Sequence, residues 1–303
     1  MKIIPKNKIV YAFEVAMYEV ERAAPGEIIK FETNDCFGHQ IDSETKLCSE
    51  MDFSRINPAT GPVYIEGTER GDILKVKILD IALPDKGVTV TLPGEGVLGD
   101  TVKKATTRII KIEDGFCTFK NVRMPVRPMI GVIGVAPLKG KYPTDTPWKH
   151  GGNMDTTDIA SGSTLYFPVN QKGAFLAMGD CHAVMGDGEV CVSGCEIDSE
   201  VIVKIDVIKN RKMEWPLVET KDCTMVIASG ISPADALKEA TRQSVDLLRK
   251  GLRLSWDDAY ILASLVMDLK VSQLVDPTKT VRASIPKYIL STQGIIEACK
   301  EVR

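Results

Sequence analysis

Between Asp72 and Ile78 the chain alternates, with Leu74, Val76 and Ile78 apolar and Lys75 and Lys77 charged between them. Val201, Val203, Ile205 and Val207 repeat the pattern, with Glu200, Lys204 and Asp206 on the opposite face. A period of two sends successive side chains to opposite faces, so both segments predict strands with one buried and one wet face. Turn residues punctuate the first two-thirds densely, as in Pro58-Ala-Thr-Gly-Pro62, Pro93-Gly-Glu-Gly96 and Gly151-Gly152. The pattern changes near Gly230. Ser232-Pro-Ala-Asp235 predicts a helix start, with serine as cap, proline in the first helical position and an acid in the first turn. Leu237, Ala240, Leu247 and Leu248 continue it as a stripe. Ser255-Trp-Asp-Asp258 predicts a second start, followed by Ala259, Leu262, Ala263, Val266 and Leu269 on one face. The expected fold is therefore mainly β (α+β): a β-sandwich core of mostly antiparallel strands with added C-terminal helices. Residues 1–230 form the core, and residues 231–303 a helical and mixed tail packed on it in one compact unit.

With 303 residues, 44% of them hydrophobic and 26% charged, the chain has the make-up of a globular protein able to bury a large core. Thirty-eight basic residues against 41 acidic ones give a net charge of -3, so nothing draws the protein to a phosphate backbone and no nucleic-acid partner is expected. The longest apolar stretch, about Met129 to Leu138, is broken by glycines and a proline. It is far short of the roughly 20 residues a spanning helix needs, so no membrane partner is expected. The opening Met1-Lys-Ile-Ile-Pro-Lys has no signal-peptide core, and a cytoplasmic location is expected. None of the eight cysteines forms a C-x-x-C pair, which excludes a four-thiolate zinc motif and leaves most of them to be read as buried thiols.

The three histidines each sit in a polar, glycine-rich setting: Asn34-Asp-Cys-Phe-Gly-His-Gln40, His150-Gly-Gly-Asn-Met-Asp155 and Gly179-Asp-Cys-His-Ala-Val-Met-Gly-Asp-Gly-Glu189. In the third, Gly186-Asp-Gly188 reads as a hairpin turn between two apolar runs. Directly opposed pairing would set His182 against Glu189 and Asp180 against Cys191, all on one face. An imidazole and two carboxylates sharing a face are costly to bury without a purpose. Holding a divalent metal and holding acid–base groups beside a substrate both fit, and a solvent-exposed polar hairpin is the alternative. Cys181 lies between Asp180 and His182, so it points to the other face. Ser161-Gly-Ser163 reads as a turn and Gly131-Val-Ile-Gly134 as a buried strand. There is no G-x-S-x-G and no phosphate-binding glycine loop.

At these residues the sequence resembles the acetamidase/formamidase family. The likeness runs over His150-Gly-Gly-Asn-Met-Asp-Thr-Thr-Asp158, Leu165-Tyr-Phe-Pro-Val169 and Gly179 to Glu189. It extends to Asn34-Asp-Cys-Phe37, Ile56-Asn-Pro-Ala-Thr-Gly-Pro62 and Gly71-Asp-Ile-Leu74, and so covers most of the chain. The resemblance implies hydrolysis of a short aliphatic amide, formamide or acetamide, to ammonia and the carboxylate. It also implies a β-sandwich with added helices, and a homodimer.

An amide resists attack because its nitrogen donates into the carbonyl and leaves badly unless protonated. The expected site is a divalent metal held by Asp35, Asp155 and His182, zinc by preference and calcium as the alternative. Glu189 is expected to take a proton from water and return it to ammonia. Asn153 and the backbone N–H groups of Gly151 and Gly152 are expected to hydrogen-bond the substrate or the oxyanion. His150 and Asp180 would orient the ligands, and His39 is open either to that role or to ligation. Phe37, Trp148 or Phe167 would wall the pocket. Two rivals stay open: a metal-free amidase using Cys36 or Cys181, and a non-catalytic β-sandwich that binds a small ligand or calcium.

Overall fold

The computed structural model describes residues 1–299. Two large sheets dominate. The nine-stranded sheet runs in the order Lys2–Ile4, Ile28–Thr33, Ser199–Ile208, Ile73–Ala82, Thr164–Pro168, Leu217–Glu219, Cys223–Gly230, Lys279–Pro286 and Asp268–Gln273. The main path of the second sheet runs Val122–Pro125, Phe116–Phe119, Thr106–Glu113, Lys86–Thr91, Glu196–Ile197, Leu176–His182, Met129–Gly134 and Gly151–Asn153. Ala59–Ile65 branches from it at Leu176–His182. Most pairings are antiparallel; Lys2–Ile4 against Ile28–Thr33 and Glu21–Ala23 against Ala59–Ile65 are parallel.

The alternation read from the sequence sets the inner face. Leu74, Val76, Ile78, Val201, Val203 and Ile205 from one sheet pack against Val63, Ile65, Ile130, Ile133, Leu176 and Met178 from the other, in one buried cluster. That shared cluster makes the fold a β-sandwich, as expected. The outer face of the nine-stranded sheet is covered by helices α1 (Pro233–Leu252), α2 (Trp256–Val266) and α3 (Thr292–Ala298). Ala236, Ala240, Val245, Leu248, Ala259 and Ala263 bury themselves there against Leu217, Val226, Ala228, Val281 and Ala283. The starts of α1 and α2 are those read from the sequence. Ser232 accepts from Asp235 N while Asp235 accepts from Ser232 N, and Ser255 accepts from Asp258 N. No helix among the described residues is long and apolar enough to cross a membrane.

Two features of the fold position the site. Residues after Gly230 contribute the strands Asp268–Gln273 and Lys279–Pro286 to the nine-stranded sheet, and the loop between them reaches the cavity described below. The second feature corrects the hairpin expectation. His182 pairs with Glu196, not Glu189, and Cys181 pairs with Ile197. Residues 183–195 leave the sheet as a loop, closed at its neck by Ala183 N to Cys195 O and Cys195 N to Val184 O. The loop docks outward, Gly188 N donating to Ser272 O and Leu274 N to Gly188 O, so Glu189 enters the site from a loop and not from a strand.

Candidate active site

Four carboxylates gather round one imidazole. His182, the last residue of its strand, has Nε2 3.0 Å from Glu196 Oε2, 3.5 Å from Asp180 Oδ1 and 3.8 Å from Asp155 Oδ1. The 3.0 Å approach is an ion-pair separation without the alignment of a hydrogen bond. Glu189 completes the group, with ligand atoms of Asp155, His182 and Glu189 all within 4.8 Å of one another. All five side chains are buried.

Glycines make room for this crowding. Gly131 lies on the strand Met129–Gly134, between the strand that carries Asp180 and the one that leads to Asp155. A Cβ there would meet Asp155 Oδ1 at 2.4 Å and Asp180 Oδ2 at 2.8 Å. Gly194 packs flat on the imidazole, where a Cβ would meet His182 Nδ1 at 2.7 Å. The backbone is also unusual at the acids themselves, with φ of 37° at Asp155, 52° at Asp180 and 48° at Glu189. Positive φ is uncommon outside glycine, and three such acids in one site mark a place where the fold holds strain.

The electrostatics follow from burial. Burial, with Glu189 and Asp180 adding to it, drives the Asp155 carboxyl well above its usual range, and His182 only partly opposes this. Burial likewise raises Glu189 well above the ordinary carboxylate value, against the pull of His182. Glu196 is pushed up to about 7 by burial, with His182 again opposing. Burial disfavours charge on His182, but Glu196 and Asp180 outweigh it and hold the ring proton well above the usual imidazole value. Both oxygens of Asp155, Asp180 Oδ1, Glu196 Oε2 and both His182 nitrogens are sealed from solvent without a hydrogen-bond partner among the described residues. Buried polar atoms are rarely left so. An imidazole nitrogen and several carboxylate oxygens left over at one point form a donor set that suits a divalent cation, so these residues fit a metal.

A cavity of about 440 Å³ adjoins this cluster, lined by Cys36, Phe37, Asn153, Asp180, Glu189, Glu196 and Asp276 among others. The structure thus brings Asp155, His182, Glu189, Asn153, Asp180 and Phe37 to one place. It does not bring Asp35 there as a partner of His182. Asp35 turns its carboxylate onto its own loop, accepting from His39 N at 3.0 Å. Asp35 groups with His39 and Asp198, and His39 Nε2 sits 2.6 Å from Asp198 Oδ1. A short aspartate side chain satisfying a backbone N–H of its own turn is the local competitor that the sequence reading missed.

His150 is also elsewhere. Its ring lies between Phe13 and Tyr142, with centroids 5.1 and 4.8 Å away, and neither nitrogen has a hydrogen-bond partner among the described residues. Gly151 donates its N–H to Trp148 O and is not free for a substrate. Gly152 serves close packing, since a Cβ there would meet Thr146 O at 2.8 Å. Trp148 packs edge-on against Trp215, and Phe167 belongs to the sandwich core. Cys181 faces that core too, with burial pushing its thiol up to about 11. Two lining residues were not read from the sequence at all. Extending the alternation that begins at Ser199 backwards would put Glu196 on the wet face with Glu200 and Lys204, but the chain changes sheet between Ile197 and Ser199 and Glu196 is buried. Asp276, in Val275-Asp-Pro-Thr278, looks like an ordinary turn and carries no local signal.

Burial alone lowers the His150 ring to about 3 from its ordinary 6.5. The unfolded chain therefore binds a proton that the folded one refuses, and stability is lost as pH falls from 6.5 towards 3. His150→Leu should remove this term. In melts from pH 7 to pH 4 the variant should gain on the unaltered protein by about 1.4 kcal/mol per pH unit at most. A difference that stays constant with pH would show that the ring protonates without unfolding.

The fold and site define a two-sheet β protein whose strand ends gather buried carboxylates about an imidazole beside a small cavity. A family profile described as the Acetamidase/Formamidase family matches residues 12–142 and 139–292. The chain belongs to the acetamidase/formamidase family. The crystal structure of a recombinant predicted acetamidase/formamidase from Thermoanaerobacter tengcongensis is 43% identical, with a TM-score of 0.94, and the match covers 97% of this chain and 98% of that one. An acetamidase of Bacillus halodurans is 40% identical, with a TM-score of 0.93, over 94% of this chain and 97% of the other. A formamidase of Methylophilus methylotrophus is 26% identical over 246 residues, 61% of this chain. That match spans only 60% of the length of this curated relative.

Proposed function

We propose that this chain hydrolyses short aliphatic amides, formamide and acetamide first, to ammonia and the carboxylate. The observation that carries the reading is the meeting of Asp155, His182 and Glu189 ligand atoms within 4.8 Å, beside a small cavity that also presents Asn153. The cavity, at about 440 Å³, has ample room for amides of this size beside the cluster. Relatives bearing the names formamidase and acetamidase support the same substrate class.

Asp155, His182 and Glu189 would hold a divalent cation, zinc by preference and calcium as the alternative. When bound, such an ion supplies Lewis-acid polarisation of a carbonyl and acidifies water. Glu196 is suited to carry the proton: burial raises its carboxyl above the ordinary carboxylate value, which favours taking a proton from water and passing it to departing ammonia. Asn153 orients the substrate amide. Burial and the strand behind His182 exclude bulk water from the cluster.

Ammonia release from both amides tests the reading, with chelated protein, a zinc or calcium add-back, and two variants. Glu196→Gln should lower kcat by about a hundredfold or more, the usual range for a lost proton carrier. Glu189→Gln should instead raise the cation concentration needed for half-maximal activity. Activity indifferent to chelator would remove the cation from the scheme.

A second reading has one observation in its favour: the Cys36 thiol reaches Asp180 and Glu196 oxygens within 4.8 Å at the cavity wall. Burial first, and then Glu196 and Asp180, drive that thiol well above its usual value, which keeps it protonated and a poor nucleophile. Alkylation that abolishes ammonia release while chelator does not would favour it. A homodimer, the assembly implied by the family resemblance, is checked by sedimentation equilibrium.

A further inference from the structure

We propose that Asn153 and Asp276 form a subsite for the nitrogen of an unsubstituted carboxamide and select against N-alkylated amides, an inference that rests on the amide-hydrolase reading. An unsubstituted amide presents two N–H donors on one nitrogen. Asn153 Oδ1 and Asp276 Oδ2 are acceptors sealed from solvent, and neither has a hydrogen-bond partner among the described residues. Both residues line the cavity, and the Asn153 amide lies within hydrogen-bonding reach of the Asp276 carboxyl. Two unpaired acceptors on the wall of one cavity can meet two donors on one atom. A carboxyl keeps an acceptor oxygen whether or not it is protonated, so the match does not depend on the charge of Asp276.

The loop that carries Asp276 is built to hold it still. Gln273, fully buried, accepts from Val275 N at 2.9 Å and Asp276 N at 3.0 Å through Oε1. Its Nε2 donates to Thr278 O at 2.7 Å, and Thr278 Oγ1 donates to Pro147 O at 2.6 Å. Lys279 Nζ donates to Asp276 O. Asn153 is fixed from the other side, on the short strand Gly151–Asn153 paired with Met129–Gly134. Two rigid elements from distant parts of the chain therefore place Asn153 and Asp276 on the wall of one cavity.

An N-methyl group removes one donor, leaves one acceptor unpaired and occupies the space of the lost hydrogen. Sites built around a substrate N–H reject analogues that lack it strongly, so kcat/KM for N-methylacetamide should fall about a thousandfold or more below that for acetamide. The test measures both amides on the unaltered protein, Asp276→Ala and Asp276→Asn, with equilibrium binding of each amide by ligand-observed NMR as a readout independent of turnover. Asp276→Ala should shrink the preference for acetamide at least tenfold, on the pattern of a removed acceptor. Asp276→Asn keeps an acceptor oxygen and should retain most of the preference, which separates recognition from mere support of the loop. Equal losses on both amides in Asp276→Ala overturn the subsite while leaving hydrolysis standing. Selective binding of acetamide without any ammonia release overturns the hydrolase reading and leaves the subsite. Neither binding nor turnover overturns both.

Discussion

Replacing Gly131 by alanine is expected to cost at least about a hundredfold in amide turnover, the penalty for displacing catalytic groups by about 1 Å. The new methyl carbon would sit 2.4 Å from Asp155 Oδ1 and 2.8 Å from Asp180 Oδ2, with Asp180 O at 2.7 Å. None of these contacts can persist. The backbone oxygen belongs to the paired strand Leu176–His182 and cannot swing away as a side chain can. Both carboxylates must therefore move, and they are two of the four that surround His182. Steady-state kinetics and cation titration of Gly131→Ala check the expectation. Unchanged kinetics would mean that Asp155 and Asp180 are not needed in their present places.

Stripped of divalent cations, the protein is expected to lose stability as pH rises from about 4.5 to about 7 and beyond. Glu196 has an ordinary value of 4.5 and a folded value of about 7. Over that interval the folded state keeps a proton that the unfolded chain has released, so raising pH favours unfolding. Asp155 and Glu189, also raised, act in the same direction. His182, raised as well, extends the loss above its ordinary 6.5. Each unit of displacement is about 1.4 kcal/mol for a single group, and these groups titrate together, so their displacements do not add. A cation that binds only the folded state should restore about 2.7 kcal/mol at a hundred times its dissociation constant. Melts at pH 5 and pH 8, with chelator and with zinc or calcium, measure the effect. Superposed melts at pH 8 would exclude cation binding by this cluster. The His150 effect has the opposite sign and is common to both preparations, so their difference isolates the cluster.

The sequence was most informative where structure is local. Leu74, Val76 and Ile78 face the core because a strand cannot place them otherwise, and Ser232 with Asp235 caps a helix because both partners lie within one turn. Burial of Asp155, His182 and Glu189 together was foreshadowed by polar residues crowded into glycine-rich loops. What failed was pairing at a distance. Whether His182 faces Glu189 or Glu196 depends on whether residues 183–195 form a turn or a loop, and the loop is anchored by Ser272, which no local pattern near His182 reports. His150 misled for the converse reason. Its acidic, glycine-rich surroundings in sequence are not its surroundings in space, where Phe13 and Tyr142 enclose it.

The docking of Gly188 on Ser272 and the placement of Asp276 also bear on biosynthesis. A nascent chain that has emerged only as far as Gly230 already carries Asp155, Asp180, His182, Glu189 and Glu196. It lacks the strand that receives the Gly188 loop and the loop that closes the cavity beside Asn153. Synthesis of the last strands thus becomes the step that finishes the pocket, and incomplete translation products would display the acidic cluster without the wall that gives it a substrate.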